Sequence, residues 1–140
     1  MSGAQGAPTE VILNGPDGVA INLVELTGDD PKTRVGQMRA YVQEHGRTPA
    51  GYTPVVTTSH VARDLDKAVA FYETVLKSGI LIDEILGSPQ QNNFLGLPKT
   101  AKTAVKFMQG NHMFGKIALS SPINYECDDL VPTAHAPNIG

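Results

Sequence analysis

The stretch Pro54–Leu86, PVVTTSHVARDLDKAVAFYETVLKSGILIDEIL, leaves the chain few folds to choose from. It opens with a β-branched run, Val55-Val56-Thr57-Thr58, which favours an extended backbone. Leu65, Ala68, Val69, Tyr72, Val75 and Leu76 then recur at helical spacing and predict one apolar stripe. Asp64 suits the N-cap, because its carboxylate can accept from the free N–H groups of the first turn. Gly79 suits the helix end, where a left-handed residue is favoured. A second apolar run to Leu86 completes strand, helix, strand.

The rest of the chain places shorter elements around this unit. Met1–Pro8 is small, polar and Gly-rich, and reads as a mobile N-terminus. Thr9–Leu13 predicts a short strand, Gly15-Pro16-Asp17-Gly18 a turn, and Val19–Leu26 a second strand. Asp30 with Pro31 reads as the cap and first residue of a helix. Val35, Met38, Tyr41 and Val42 are its stripe and Gly46 its end. Arg47–Tyr52 reads as a linker. Gly87–Pro98 predicts a loop with one helical turn. Ala101–Met108 and Phe114–Ser120 predict strands on either side of a Gly110-Asn111 turn. Pro122–Gly140, rich in proline and without periodicity, predicts an irregular tail. Gly18–Leu26 and Gly115–Ser121 echo one another weakly, each a strand after a glycine turn.

Composition closes several doors. A net charge of −3 argues against a general nucleic-acid binder, which needs a basic face. No apolar run is long enough for a membrane span, so no membrane partner is expected. Cys127 is the single cysteine, so no intramolecular disulfide can form, and Met1–Pro8 lacks the basic start and apolar run of a leader. The expectation is a cytoplasmic protein.

The phrase Arg63-Asp64-Leu65-Asp66-Lys67-Ala68-Val69-Ala70-Phe71-Tyr72, within the order strand, helix, strand, strand, strand from Val55 to Ser121, resembles the opening of a module of the vicinal oxygen chelate superfamily. That superfamily includes glyoxalase I, bleomycin-resistance proteins, methylmalonyl-CoA epimerase and extradiol dioxygenases. Gly15-Pro16-Asp17-Gly18 and the strand after it resemble the last hairpin of a preceding module. The resemblance implies an α+β fold: a βαβββ module with a curved, mostly antiparallel sheet and helices on its outer face, plus the final strands of a second module. The implied organisation is a mobile N-terminus 1–8, a terminal hairpin 9–30, a linker helix and loop 31–54, a complete module 55–121 and an irregular tail 122–140. Such modules work in pairs around a cleft that holds a divalent metal. A chain with one and a half modules therefore implies either a homodimer or a part of a longer multi-module chain. The ending Pro137-Asn138-Ile139-Gly140, where a further module could begin, favours the longer parent.

The positions that resemblance assigns to the metal carry unusual residues. The first-strand ligand, seven residues before the helix-opening Asp, falls on Thr57. The final-strand ligand falls on Asn22 in the hairpin and on Ala118 in the complete module. A divalent ion wants imidazole nitrogen or carboxylate oxygen. The expectation is a degenerate metal site without a cofactor, in a protein that binds a small-molecule ligand in a sheet cleft and could catalyse without metal. The cleft-facing candidates are Asn22, Thr57, Ser59, Lys106, Lys116, Ala118 and Ser120. The first alternative is a metal-dependent lyase, isomerase or dioxygenase, with His60 as the runner-up ligand. Strand alternation turns His60 toward the helix, and a slip of one residue would turn it into the cleft. The second alternative is a structural module that completes a partner's cleft. His45, near a helix C-terminus, His112, in a turn, and His135, in the tail, form no metal motif.

Overall fold

The computed structural model describes residues 9–15 and 19–127. Among the described residues the fold is α+β, with a two-stranded sheet, a four-stranded sheet and three helices. The expected mobile start, the centre of the Gly15–Gly18 turn and the tail beyond Cys127, with His135, lie outside the described residues. Two units divide the chain, Met1–Ala40 with Cys127–Gly140, and Tyr41–Glu126.

In the first unit, strands β1 (Thr9–Asn14) and β2 (Ala20–Glu25) pair antiparallel without a register break, from Thr9↔Glu25 to Asn14↔Ala20. The Gly15 N–H donates to the Val19 carbonyl at 2.7 Å and closes the connection. Helix α1 (Arg34–His45), whose residues from Tyr41 on belong to the second unit, begins later than its sequence suggests. Asp30 does not cap it. Its carboxylate accepts from the Lys32 N–H at 2.9 Å, which makes a turn around Pro31. Thr33 takes the capping role, its hydroxyl accepting from the Gly36 N–H at 3.1 Å. Gly36 is required here, since a Cβ would come within 2.0 Å of the Asp30 carbonyl oxygen. Gly46, at φ +83°, ends the helix as expected.

The second unit is built on the β-α-β stretch. Strands β3 (Thr57–Val61), β4 (Gly79–Leu86), β5 (Thr103–Gln109) and β6 (Lys116–Pro122) form one sheet in the order β3-β6-β5-β4. β3 runs parallel to β6, and the other pairings are antiparallel. A bulge between Ile80 and Ile82 shifts the β4 register. β3 starts at Thr57, two residues into the β-branched run that announces it.

Helix α2 (Leu65–Val75) packs on β5 and β6. Its Asp64 cap accepts from the Lys67 N–H at 3.0 Å. Val69 meets Met108 and Leu119 in the core, with Leu65, Ala68, Tyr72 and Ile117 packed around them. The stripe fades after Tyr72, because Val75 and Leu76 are exposed. Gly79 does not end the helix. Lys77 takes the left-handed position at φ +53°, and Gly79 starts β4. The loop after β4 contains helix α3 (Pro89–Phe94). Ser88 and Gln91 bond reciprocally in a capping box, with Pro89 at the start. No helix among the described residues is long and apolar enough to cross a membrane.

Candidate functional site

Register decides which side chains share a face of the four-stranded sheet, since directly paired residues point the same way. Leu119 pairs with Lys106 and His60, and Ile117 pairs with Met108 and Thr58. Leu119, Met108 and Ile117 pack with α2, so these rows form the helix side. The opposite face carries Thr57 beside Lys116, Ser59 beside Ala118 and Phe107, and Val61 beside Ser120 and Val105. Thr103 continues that face at the far end of β5.

Five of the expected residues, Thr57, Ser59, Lys116, Ala118 and Ser120, therefore stand together on the face turned from α2. Lys106 does not join them. It stands on the helix side, where its ammonium pairs with Asp83 across β4. The expectation failed because alternation along β5 cannot set its phase against β6 until the pairing is known. Asn22 belongs to β2, in the other unit, and its amide donates to Glu10 Oε2 at 3.2 Å. His60 follows the alternation to the helix side, yet it is exposed, because β3 is an edge strand that α2 leaves uncovered.

The face is apolar at its centre and polar at its ends. Thr103, Val105, Lys116 and Ala118 are buried, Thr57 and Phe107 are half-buried, and Ser59 is exposed. Lys116 keeps only 6% of its surface in solvent, and its ammonium donates to the Met113 carbonyl. The Ser120 hydroxyl donates to the His60 carbonyl at 3.3 Å.

Sequence reasoning missed the other polar end. Thr103 Oγ1 lies 2.8 Å from the Tyr125 hydroxyl. The segment after β6 is held by Asn124, whose side-chain oxygen accepts from the Lys102 N–H at 2.7 Å. Its side-chain nitrogen donates to the Thr100 carbonyl at 2.9 Å. The signal was faint: an Asn-Tyr pair directly after a strand that reads as a tail. Glu10 was missed for a different reason. Its link to Asn22 is a cross-strand diagonal, visible only once the hairpin register is known.

On the helix side, an open depression at the start of α2 is lined by Asp64, Lys67, Ala104, Ser121 and Ile123, among others. Asp64 and Asp66 are the acids there, and the Lys67 N–H, with the Lys67 side chain behind it, holds the Asp64 carboxyl below the usual range. That interaction serves the helix start.

The three positions that the resemblance assigns to a metal do not fit a divalent ion. Thr57 offers a neutral hydroxyl, Asn22 an amide and Ala118 no donor. Among the described residues, no group of three or more His, Cys, Asp or Glu could hold one. The face turned from α2 instead carries neutral hydroxyls and the apolar side chains of Val105, Phe107 and Ala118. No family model, curated protein or solved structure matches the chain.

Proposed function

We propose that residues 55–121 form a module of the glyoxalase, bleomycin-resistance and dioxygenase type, and that the sheet face turned from α2 binds a small organic molecule. One observation carries the reading: the register brings Thr57, Ser59, Lys116, Ala118 and Ser120 to a single face away from α2. The β-α-β-β-β order, with the helix on one side of a mostly antiparallel sheet, supports the module assignment. An apolar floor with a few placed polar groups suits a small molecule better than a metal or a polyanion. The serine and threonine hydroxyls favour a neutral ligand. No cofactor is part of this reading. The test is a fragment screen followed by amide chemical-shift mapping on labelled protein. Shifts gathered on Ser59, Val105, Phe107 and Ala118 would support it, and hits that map only to the helix side would refute it.

A second reading, a metal-dependent lyase, isomerase or dioxygenase, is favoured by Glu10. Its carboxylate contacts the Asn22 amide, so an acid stands beside one inherited position after all. Calorimetric titration with zinc, nickel, manganese and iron(II) separates the two. Stoichiometric binding lost in Glu10→Gln or in His60→Ala would favour the metal enzyme.

Assembly follows from the sheet edges. β3 and β4 are both edge strands, with Val61 68% and Ile85 66% exposed, and open edges invite pairing. A homodimer, or a partner module that completes the cleft, would cover them. Light scattering that finds only monomer at high micromolar concentration would count against the homodimer.

A further inference from the structure

Within the Tyr41–Glu126 unit, the last turn of α1 meets the β5–β6 connection in an aromatic cluster. The Tyr41 ring stacks on His45, with centroids 4.1 Å apart and planes 10° from parallel. It meets His112 edge-on at 5.3 Å and lies 5.3 Å from Phe114. Two imidazoles thus flank one phenol, and their hydrogen bonds make opposite demands on their protons.

His112 Nδ1 accepts from the Phe114 N–H at 3.1 Å. That nitrogen therefore carries no proton, and the neutral ring holds its proton on Nε2, which faces the Tyr41 hydroxyl at 3.3 Å. The bond reaches two residues along the chain, as an Asx turn does. His45 differs. Its Nδ1 lies 3.0 Å from the Tyr41 carbonyl, which can only accept, so this nitrogen carries the proton already. A second proton on His45 would leave that bond intact, and a cation at a helix C-terminus is favourable.

We propose that His112 is a proton-operated latch. Neutral, it ties the last turn of α1 to the β5–β6 connection through Tyr41. Protonated, it points a second N–H at the Phe114 N–H, donor against donor, and the turn is released. The groups around it are named by the contacts. From α1 come Tyr41, His45 and Glu44, whose carboxylate is 3.9 Å from His45 Nδ1. From β5 comes the neutral Gln109, whose amide donates to the His112 carbonyl at 3.0 Å. From β6 comes Lys116, bonded to the Met113 carbonyl in the same turn. The latch stands at the Lys116 end of the sheet, and it does not depend on the ligand reading above.

The test is amide exchange and ring-nitrogen shifts on ¹⁵N-labelled full chain, from about pH 8 to about pH 5, across the imidazole range. After correction for intrinsic exchange, Phe114 should lose roughly tenfold in protection, the scale of one hydrogen bond. The Phe114 amide and the His112 ring should titrate with one midpoint. In His112→Asn the side-chain oxygen accepts at every pH, so the step should vanish with protection retained. In His45→Gln the step should persist. No step in the parent protein, different midpoints, a step that survives in His112→Asn or one that disappears in His45→Gln would each overturn the proposal.

Discussion

The hairpin β1–β2 and the sheet β3–β6 are written in the same alphabet and end differently. Val11, Ile12, Leu13, Ile21 and Val24 are as apolar as anything in β5 or β6, and the hairpin pairs without a register break. Yet all five are exposed, and neighbours such as Val11 and Ile12 point to opposite faces. In the sheet, Met108 and Leu119 keep only 1% and 2% of their surface in solvent, because α2 lies over them. A β pattern specifies an extended backbone and its pairing. Burial comes from a second layer, and two strands alone are marginal in water.

The largest test of this contrast is Leu119→Ala. Removing a fully buried leucine next to Val69 and Met108 should destabilise the Tyr41–Glu126 unit by about 3 kcal/mol, through lost transfer energy and the cavity left behind. Urea unfolding would measure it. Leu13→Ala, the same change on the hairpin, should cost less than about 1 kcal/mol. Equal losses would mean that the hairpin is as well covered as the sheet.

Much of the second layer could be read in advance, and the reasons are local. The Asp64 cap and the spacing of Leu65, Ala68, Val69 and Tyr72 belong to one helix and need no partner to be recognised. The errors fall where a neighbour decides. Thr33 displaced Asp30 as the α1 cap because Asp30 spends its carboxylate on the Lys32 N–H. Lys77 took the left-handed position ahead of Gly79 because the chain had to turn into β4 sooner. Lys106 faced the wrong way because register is a property of two strands. The α3 capping box was legible and went unused: Ser88-Pro89-Gln90-Gln91 carries the pattern in plain order. Of the site, the alternation in β3 and β6 was legible. Tyr125 was not, since its place depends on how Asn124 is held by Lys102 and Thr100.

Asn92 probes the second layer without apolar chemistry. It is 1% exposed, and its side-chain nitrogen donates to the Lys99 and Ala101 carbonyls at 3.0 Å each. Asn92→Leu keeps the volume and removes both donations. The two acceptors, one on buried Ala101, then lose their partner, and the expected cost is about 2 kcal/mol by the same urea measurement. A neutral result would show that this loop contributes nothing to the unit's stability.

A smaller effect is expected at the exposed start of α2. The Lys67 N–H lowers the Asp64 pKa from its usual 3.8. A depressed folded-state pKa contributes stability that is complete above the unfolded value and is lost as pH falls through the lowered one. Asp64→Ala should therefore lower the melting temperature by a few degrees at neutral pH. The difference between the two proteins should shrink as pH falls below 3.8, because the parent cap then protonates. A gap of constant size down to the lowest pH would show that the carboxylate charge does not make the cap.

The smallest effect should come from the hairpin itself. Val11 and Ile12 stand on opposite faces of β1, 49% and 39% exposed. Threonine keeps the β-branched shape and the strand preference while replacing a methyl of Val11 or the ethyl of Ile12 with a hydroxyl. If neither face is covered, that hydroxyl stays hydrated, and Val11→Thr and Ile12→Thr should each change stability by less than about 0.5 kcal/mol. The size of that change should also not depend on protein concentration. A loss of more than about 1 kcal/mol at one position and not the other would identify a covered face. A loss that grows with dilution would assign the cover to another chain, because only an intermolecular contact follows mass action. Either outcome would turn the contrast between hairpin and sheet into a difference in when the second layer arrives.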